Sequence, residues 1–368
     1  MIKTSIRIRK SMTGSLLKQV LIRPAWRWRR QQPESPRRLN LALQGGGSHG
    51  AFTWGVLDGL LTHPTLEFDG LSGSSAGAMN AAVFAQGWME GGREGARVAL
   101  ERFWTEVSQQ MPWALLTHGQ GDAISLSPVT KMLSSWAEQF SPASLNPFDL
   151  NPLRKLIKHQ IDFAGLRKHS PFKLFIGATQ VNTGKLRIFR ESEISVEVLM
   201  ASACLPKLHP AVLIQGEPYW DGGYSANPAV FPLFYECAAR DILLVLLSPL
   251  THESTPKTRE EIESRIAELG FKTHFFREMQ MFARAEQFSP ATLTAKGDLR
   301  SQLKPCRFHM IDSSKLDSLQ RSETKMLAQG SFLALLRAQG QERAGEWLTQ
   351  HAASIGLRST LDMQQWLT

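Results

Sequence analysis

Apolar segments, glycine-rich turns and helix-like segments alternate along the chain from residue 39 onwards. Residues 39–44 form a short apolar run, which a glycine-rich turn and the helical pattern of residues 51–61 follow. The same order returns with an apolar run at 66–71, a second glycine turn at 73–77 and a small-residue helix at 78–86. Because this alternation is typical of βα units, it predicts an α/β fold with a mostly parallel central sheet flanked by helices.

The rest of the chain supplies further strand candidates and then becomes mostly helical. Later strands are predicted at residues 173–179, 186–189, 212–220 (a hairpin around Gln215-Gly216) and 241–247. Residues 251–368 are expected to form a mostly helical extension, with a candidate edge strand at 307–311, packed on a core of residues 39–250. The apolar residues Leu333, Leu335, Leu336 and Trp347 are expected to cover one face of the sheet.

The N-terminal segment, residues 1–38, has a different pattern from the rest. Residues 1–40 hold eleven Lys or Arg and one acid, Glu34, whereas the remaining 328 residues carry 31 basic and 32 acidic side chains. The net charge of +9 therefore belongs to the tail. Since basic residues interleaved with Trp26 and Trp28 suit an anionic bilayer surface, peripheral membrane contact is one expectation; a disordered tail is the other.

Composition narrows the class of protein. The longest uninterrupted aliphatic run, residues 242–247, is far shorter than the roughly 20 residues of a transmembrane helix. Cys204, Cys237 and Cys306 are too few and too widely spaced for a disulfide framework or a zinc site, which favours a reducing, cytoplasmic compartment. A neutral body with a basic tail gives no reason to expect a nucleic-acid partner.

The turn Gly73-Ser74-Ser75-Ala76-Gly77 fits the pattern G-x-S-x-G with Ser75 at its centre. A nucleophilic serine on a sharp strand-to-helix turn requires small neighbours, so that its hydroxyl group projects outwards. Backbone dipoles at the helix N-terminus would also favour negative charge there. The register predicts Ser75, rather than Ser74, as a nucleophile.

Gly45-Gly46-Gly47 follows the first strand and exposes consecutive backbone N–H groups, as an oxyanion hole requires. Gly45, Gly47 and Gly50 also satisfy G-x-G-x-x-G, the dinucleotide-binding pattern. That interpretation lacks the isolated ribose-binding acid after the next strand and leaves residues 73–77 unexplained. A Walker A loop is excluded because no Lys-Ser or Lys-Thr follows the glycines.

Asp221-Gly222-Gly223 ends the predicted hairpin and is the third motif. The two glycines leave the Asp221 carboxylate accessible to a serine. Taken alone, Asp-Gly is also a strong hairpin-turn signal.

Together, residues 44–52, 73–78 and 221–223 resemble the patatin-like phospholipases in content, order and approximate spacing. The segments 178–184 and 201–206 extend the resemblance, which covers roughly residues 39–250. It implies a three-layer patatin-like fold and hydrolysis of lipid acyl esters with neither metal nor organic cofactor. It further implies a catalytic dyad of Ser75 as nucleophile and Asp221 as general base, with the Gly45, Gly46 and Gly47 backbone as oxyanion hole. Gly50, Gly73, Gly77, Gly222 and Gly223 support these motifs.

A Ser-Asp-His triad of the α/β-hydrolase kind is the rival arrangement. Its histidine would be His252, His274, His309 or His351, all downstream of Asp221. Only 30 residues separate Gly45 from Ser75, whereas that fold generally inserts further strands and helices between the two motifs. The spacing therefore favours the dyad, in which desolvation would raise the basicity of Asp221.

Two positions depart from the family pattern: Gln44 stands where many members have Asp, and His49 where many have Arg or Lys. A neutral His49 would supply less positive charge near an oxyanion than Arg. Alternatively, its side chain packs, or caps the following helix.

The leading hypothesis is a serine hydrolase acting on phospholipids or lysophospholipids. A non-catalytic lipid-binding or regulatory protein that retains the fold is the alternative. Residues 105–152, rich in Trp, Pro and Ser, could form a lid over the site or a plain helical insertion. Neither the oligomeric state nor the acyl-chain and head-group preference follows from the sequence.

Overall fold

Strand β1, Arg37–Leu43, lies inside an eight-stranded sheet whose strands around it are all parallel. On one side it pairs with β2, Leu66–Gly73, which in turn pairs with β5, Lys173–Gln180. On the other side it pairs with β9, Asp241–Val245, which pairs with the edge strand β10, Arg307–Ile311. The central sheet is therefore mostly parallel, as predicted.

Antiparallel strands complete the sheet beyond β5. They are β6, Leu186–Arg190, and the hairpin of β7, Val212–Ile214, with β8, Glu217–Asp221. Positive φ angles at Gln215 (54°) and Gly216 (85°) give the hairpin the turn that suits the twist of its strands. A separate ribbon consists of β3, Thr117–His118, and β4, Ser125–Leu126.

Ten α-helices are described around the sheet. They are α1, Gly50–Leu61; α2, Ala76–Ser108; α3, Trp113–Leu116; α4, Pro152–Gln160; α5, Phe163–His169; α6, Val196–Ser202; α7, Phe231–Glu236; α8, Arg259–Gln287; α9, Asp317–Gln320; and α10, Gly330–His351. Short 3-10 helices at Gly47–His49, Gly222–Tyr224 and Ser322–Met326 lie close to the site described below.

Two apolar clusters pack on opposite faces of the sheet. Leu41, Leu43 and Val245 belong to the cluster that includes α1, α2 and α10. Ala42 and Leu244, one position along their strands, belong to the cluster that includes α7 and part of α8. Because successive strand residues point to opposite faces, this division makes the sheet the middle of three layers.

Helix α2 is a helical hairpin rather than the short helix ending at residue 86 that the sequence predicts. Gly91 and Gly92 have non-helical backbone angles, and the chain reverses there. Gly87 contacts Gly95 and Ala96 so closely that a β-carbon on Gly87 would collide with both. Small residues on both segments thus let the two helices approach, and the second segment returns towards the site.

The C-terminal residues are integrated with the sheet. Helix α10 packs on α1: the backbone at Gly340 touches Phe52, and Arg337 forms an ion pair with buried Asp58 at 2.7 Å. Leu333 is buried in the same contact. Residues Pro36–Thr368 form one compact unit. The proposed division at residue 250 stays a prediction about sequence organisation.

The computed structural model describes residues 37–128, 130–131, 151–252, 254–287, 306–314 and 316–367. The predicted tail lies outside the described residues, except that Arg37 and Arg38 belong to β1; Arg38 pairs there with Glu67 at 3.0 Å. Most of the candidate lid, residues 129 and 132–150, also lies outside them. Among the described helices, none has the length and apolar character needed to cross a bilayer.

Candidate active site

Ser75 occupies a tight turn between β2 and α2, at the carboxyl end of the parallel strands. Its φ of 54° and ψ of −124° place a non-glycine residue in the left-handed half of backbone space, which is strained. The Ser75 N–H donates to the backbone carbonyl of Ser202 at 3.1 Å and lies 3.0 Å from its hydroxyl oxygen. These contacts hold the turn in the sharp conformation that a nucleophilic serine would need for its side chain to project outwards.

The neighbours of Ser75 are small because the backbone has no room for larger ones. A β-carbon on Gly77 would collide with the Leu43 carbonyl, and one on Gly73 would collide with the Gly77 backbone. Ser74 is buried and donates its hydroxyl to the Ala226 carbonyl at 2.7 Å. Ser74 is thus engaged in the core, whereas Ser75 lines two cavities.

The glycine loop follows β1 and lies beside the Ser75 turn, because Leu43 and Gly73 are register partners. The Gly45 N–H donates to Asn227 Oδ1 at 2.7 Å, so it is already engaged. By contrast, the N–H groups of Gly46 and Gly47 donate to no acceptor among the described residues. Gly47 has a φ of +58°, in the left-handed region that favours glycine.

Hydrogen bonds made by Asn227 and Gln44 hold the glycine loop in place. Asn227 Nδ2 also donates to the Gly45 carbonyl, at 3.3 Å, so the Asn227 side-chain amide bonds to both backbone polar groups of Gly45. Gln44 Oε1 accepts the N–H groups of Leu247 at 2.6 Å and Ser248 at 3.0 Å, which ties the loop to the end of β9. The residue that departs from the family pattern at position 44 is therefore a buried structural brace.

Asp221 ends β8, and its side chain is 1% exposed. Its Oδ1 accepts the Gly223 N–H at 2.7 Å. Burial raises the pKa of Asp221 to about 7, against the smaller opposing effects of the Gly223 N–H and the Ser75 side chain. Since Oδ2 has no hydrogen bond of ordinary geometry with a described residue, the Ser75 contact is a loose one.

The remaining glycines of the third motif allow close packing around Asp221. A β-carbon on Gly222 would collide with the Gly177 carbonyl, and one on Gly223 would collide with the Phe271 ring. Helix α8 therefore packs directly on the turn that carries Asp221, and it forms one wall of the site.

His49 is fully buried under the glycine loop. Its Nε2 lies 2.7 Å from Thr324 Oγ1, and its ring packs edge-on against Phe332. Burial, with the positive charges of Lys325 and Arg321, holds the pKa of His49 well below its usual range. His49 is thus a neutral packing residue; it makes no side-chain capping bond to α1. Gly50, next to it, leaves room for Ala76 and Trp104.

The four histidines of the rival triad have other surroundings. His252 contacts Glu268 at 2.9 Å, His309 contacts Asp241 at 3.0 Å, and the His351 ring lies 6.2 Å from that of Trp347. His274 is exposed. None of the four lines either of the two cavities that contain Ser75. The side chain that lowers the pKa of Asp221 through a hydrogen bond is that of Ser75.

Two cavities meet at Ser75. The first, of about 430 Å³, includes the three loop glycines and Asp221, and α8 and Ser322–Met326 supply its charged wall. The second, of about 220 Å³, has walls that include Met79, Phe103, Trp104, Val107 and Leu208. The surface of both cavities is mostly apolar, and they differ in that the acidic side chains line only the first. Ser75, Gly47, Leu205, Lys325 and Met326 line both. Among the described residues, no cluster of three His, Cys, Asp or Glu side chains could hold a metal ion.

Sequence reasoning missed several residues of the site. Ser202 lies in a segment that contributed to the family resemblance, but nothing in the sequence pairs it with Ser75. Asn227 and Lys325 come to the glycine loop from distant parts of the chain, and isolated Asn and Lys residues carry no distinguishing pattern. Phe271 sits in a helix whose apolar residues look like ordinary packing positions.

The sequence matches the family described as "Patatin-like phospholipase" over residues 41–234, more than half of the chain and all of the predicted motifs. Among solved structures, one similar chain is that of VipD from Legionella pneumophila, with 16% identity and a TM-score of 0.40; the match covers 87% of this chain and 67% of that one. No curated protein sequence matches significantly. The family match identifies the chain as a member of the patatin-like phospholipase family.

Proposed function

We propose that the protein is a serine hydrolase that cleaves carboxylic ester bonds of phospholipids or lysophospholipids. Membership of the family supports hydrolysis of lipid esters in general. The observation that carries the more specific proposal is the pairing of a strained, cavity-lining Ser75 with a buried Asp221 whose pKa is raised to about 7. At that pKa a carboxylate is a far better base for a hydroxyl than at its ordinary value of about 3.9.

In this proposal, Ser75 Oγ attacks the acyl carbonyl and its proton passes to Asp221. The new C–O bond forms as the carbonyl π electrons move to oxygen, and the N–H groups of Gly46 and Gly47 stabilise that oxyanion. Collapse of the tetrahedral intermediate breaks the ester bond, and Asp221 returns the proton to the departing alcohol. Water then attacks the acyl-Ser75 ester with Asp221 again as base. As the second tetrahedral intermediate collapses, the bond to Ser75 Oγ breaks, Asp221 returns the proton to Oγ, and the carboxylic acid leaves.

Gly45 has a different role in this mechanism from the one the family resemblance implies. Because its N–H donates to Asn227, we assign Gly45 to holding the loop and restrict the oxyanion donors of the loop to Gly46 and Gly47. Asn227 is then a positioning residue: it holds the N–H and the carbonyl of Gly45, and that carbonyl belongs to the peptide unit that carries the Gly46 N–H.

The two cavities suggest how a lipid ester would lie. An acyl chain would enter the smaller cavity beside Met79 and Phe103, which no acidic side chain lines, since burial of each methylene there is favourable by about 0.8 kcal/mol. The leaving alcohol, with any head group, would then face the larger cavity and its charged wall.

The proposal is tested by labelling the folded protein with a fluorophosphonate probe and measuring hydrolysis of a soluble ester. Wild-type protein should be labelled and active, and Ser75→Ala should lose both properties. Ser74→Ala is the matched control, because its hydroxyl is buried in the core, and it should still be labelled. Labelling that persists in Ser75→Ala would rule out Ser75 as the nucleophile.

A further inference from the structure

The 3-10 helix Ser322–Met326, which lies beyond the family match, packs on the glycine loop. The Lys325 carbonyl occupies the space that a side chain at Gly47 would need, and Thr324 bonds to His49. This packing fixes the start of the Lys325 side chain beside the loop. Lys325 consequently lines both of the cavities that contain Ser75.

The ammonium group of Lys325 has no carboxylate partner among the described residues. Its one polar contact there is a long hydrogen bond of 3.4 Å from Nζ to Ser248 Oγ. Ser248 also lines the larger cavity.

The other charged side chains on this wall are paired. Lys272 forms an ion pair with Glu268, which also contacts His252. Glu323, at the rim, pairs with Arg321 at 3.7 Å. Lys325 is thus the charged side chain on this wall that has no ion-pair partner among the described residues.

An unpaired ammonium group in a partly desolvated cavity is unfavourable. Burial lowers the pKa of Lys325, while the more distant charge of Glu268 opposes this and that of Lys272 adds to it. An anionic group bound at Nζ would compensate for the lost hydration through a charge-assisted hydrogen bond. The cavity therefore suits a ligand with negative charge close to the group that reacts with Ser75.

We propose that Lys325 binds the phosphate group of the substrate and gives the enzyme its preference for acyl esters that carry phosphate on the same glycerol. This inference rests on the proposed hydrolase function and adds the specificity-determining residue. The same chemistry would also accommodate free phosphate, so the experiment must separate the two. Lys325 acts here on substrate binding and not on the oxyanion.

The experiment compares two soluble substrates with identical acyl chains, dihexanoyl phosphatidylglycerol and uncharged dihexanoylglycerol. Lys325→Met should lower kcat/KM for the phosphate-bearing ester by about tenfold or more, mainly by raising KM, because a charged hydrogen bond is lost. Hydrolysis of dihexanoylglycerol should stay within about twofold of wild type. Lys325→Arg should keep most of the preference, and exposed Lys168→Met is the matched control for loss of one positive charge.

Several outcomes would overturn the proposal. An equal loss of kcat/KM on both substrates would mean that Lys325 stabilises the oxyanion or the loop. No loss on either substrate would mean that Lys325 has no role in substrate binding. Inorganic phosphate should inhibit dihexanoylglycerol hydrolysis competitively in wild type and not in Lys325→Met. If it does so while the phosphate-bearing ester is unaffected by the substitution, the site takes free phosphate and the head-group assignment fails.

A binding measurement separates this inference from the hydrolase proposal. Calorimetric titration of Ser75→Ala with dihexanoyl phosphatidylglycerol needs no turnover, and Lys325→Met in that background should weaken binding by about tenfold. Unchanged affinity would contradict the role of Lys325 even if Ser75 proves to be the nucleophile. Weakened affinity would support it even if Ser75 does not.

Discussion

Burial of the Asp221 carboxyl group affects both its basicity and the pH dependence of folding. Burial raises its pKa to about 7, which suits the general-base role that we propose and also makes the group bind a proton more tightly in the folded protein. In the unfolded chain the same group has a pKa of about 3.9. Folding therefore favours the protonated form, whereas the mechanism that we propose requires the ionised form.

The pH dependence follows from this difference. We expect kcat/KM to rise as the pH increases through about 7, and Asp221→Asn to reduce it by roughly 100-fold or more at all pH values. The stability contributed by protonated Asp221 is fully present below about pH 3.9 and is lost as the pH rises through about 7. Urea unfolding should therefore show Asp221→Asn gaining stability relative to wild type between pH 5 and pH 8.

Glu278 provides the matched control. Burial also raises its pKa to about 7, but its carboxylate accepts backbone N–H groups at the start of α7 and does not line either cavity. Glu278→Gln should leave the shape of the pH–rate profile unchanged in the folded protein. A wild-type profile that is flat between pH 5 and pH 9 would refute the assignment of Asp221 as the base.

The residues that the sequence predicts share a physical property: backbone geometry restricts their identity. Gly73 and Gly77 are glycines because the strand and helix touch there, and Gly47 because its φ is positive. Such constraints leave short, contiguous motifs. Asn227 and Lys325 act through contacts with residues far away in the chain, so their roles could not be predicted before the fold was known.

At the scale of elements, the helical hairpin α2 accounts for both a misprediction and a part of the site. The pattern of small residues predicts a helix ending at residue 86, because the glycines that follow resemble a terminator. Instead, Gly91 and Gly92 reverse the chain, and Trp104 on the returning segment donates to Asn80 Oδ1 at 2.9 Å. Asn80 in turn donates to the Gly50 carbonyl at the end of the glycine loop.

The returning segment of α2 also supplies Val107 to the smaller cavity, where we expect the acyl chain to bind. Val107→Phe should fill part of the 220 Å³ and shift preference towards short chains. The ratio of kcat/KM for a dodecanoyl over a butanoyl nitrophenyl ester should fall by about tenfold. Val98→Phe, on the same helix but 54% exposed, should leave the ratio unchanged; a shift of similar size in both variants would place the acyl chain elsewhere.

For the whole molecule, the C-terminal residues are part of the sheet rather than an appendage. Asp241, at the start of β9, accepts hydrogen bonds from Arg307 and His309 on β10 and from the Gly356 N–H at 2.9 Å. Burial alone would raise the pKa of Asp241, but the bonds from His309 and Arg307 outweigh it and lower the pKa. One carboxylate thus joins three C-terminal residues to the strand that pairs with β1.

Removing this carboxylate should lower the stability of the folded protein without changing its catalytic activity. Asp241→Asn should lower the free energy of unfolding at pH 7 by about 3–5 kcal/mol, because it leaves buried cationic and polar groups without their partner. Since the folded pKa is lowered, the difference from wild type should shrink as the pH falls below about 4.

The exposed pair of Arg38 and Glu67 is the comparison for this effect. Glu67→Gln should cost less than about 1 kcal/mol in the same urea titration. If Asp241→Asn costs no more than Glu67→Gln, the C-terminal residues are not held by Asp241. Activity per folded molecule should be unchanged in both variants, because Asp241 lies at the opposite end of β9 from the glycine loop.

The contact between Ser322–Met326 and the glycine loop has a consequence for how related enzymes can diverge. Residues 41–234 contain the proposed nucleophile, base and oxyanion donors, whereas Lys325 arrives from outside that region. On the role that we propose for Lys325, mutations in the C-terminal segment would alter which lipids are accepted without altering any of the predicted catalytic motifs. Two homologues with identical motifs would then differ in substrate, and we expect the residue responsible to stand at the position of Lys325, which faces Gly47.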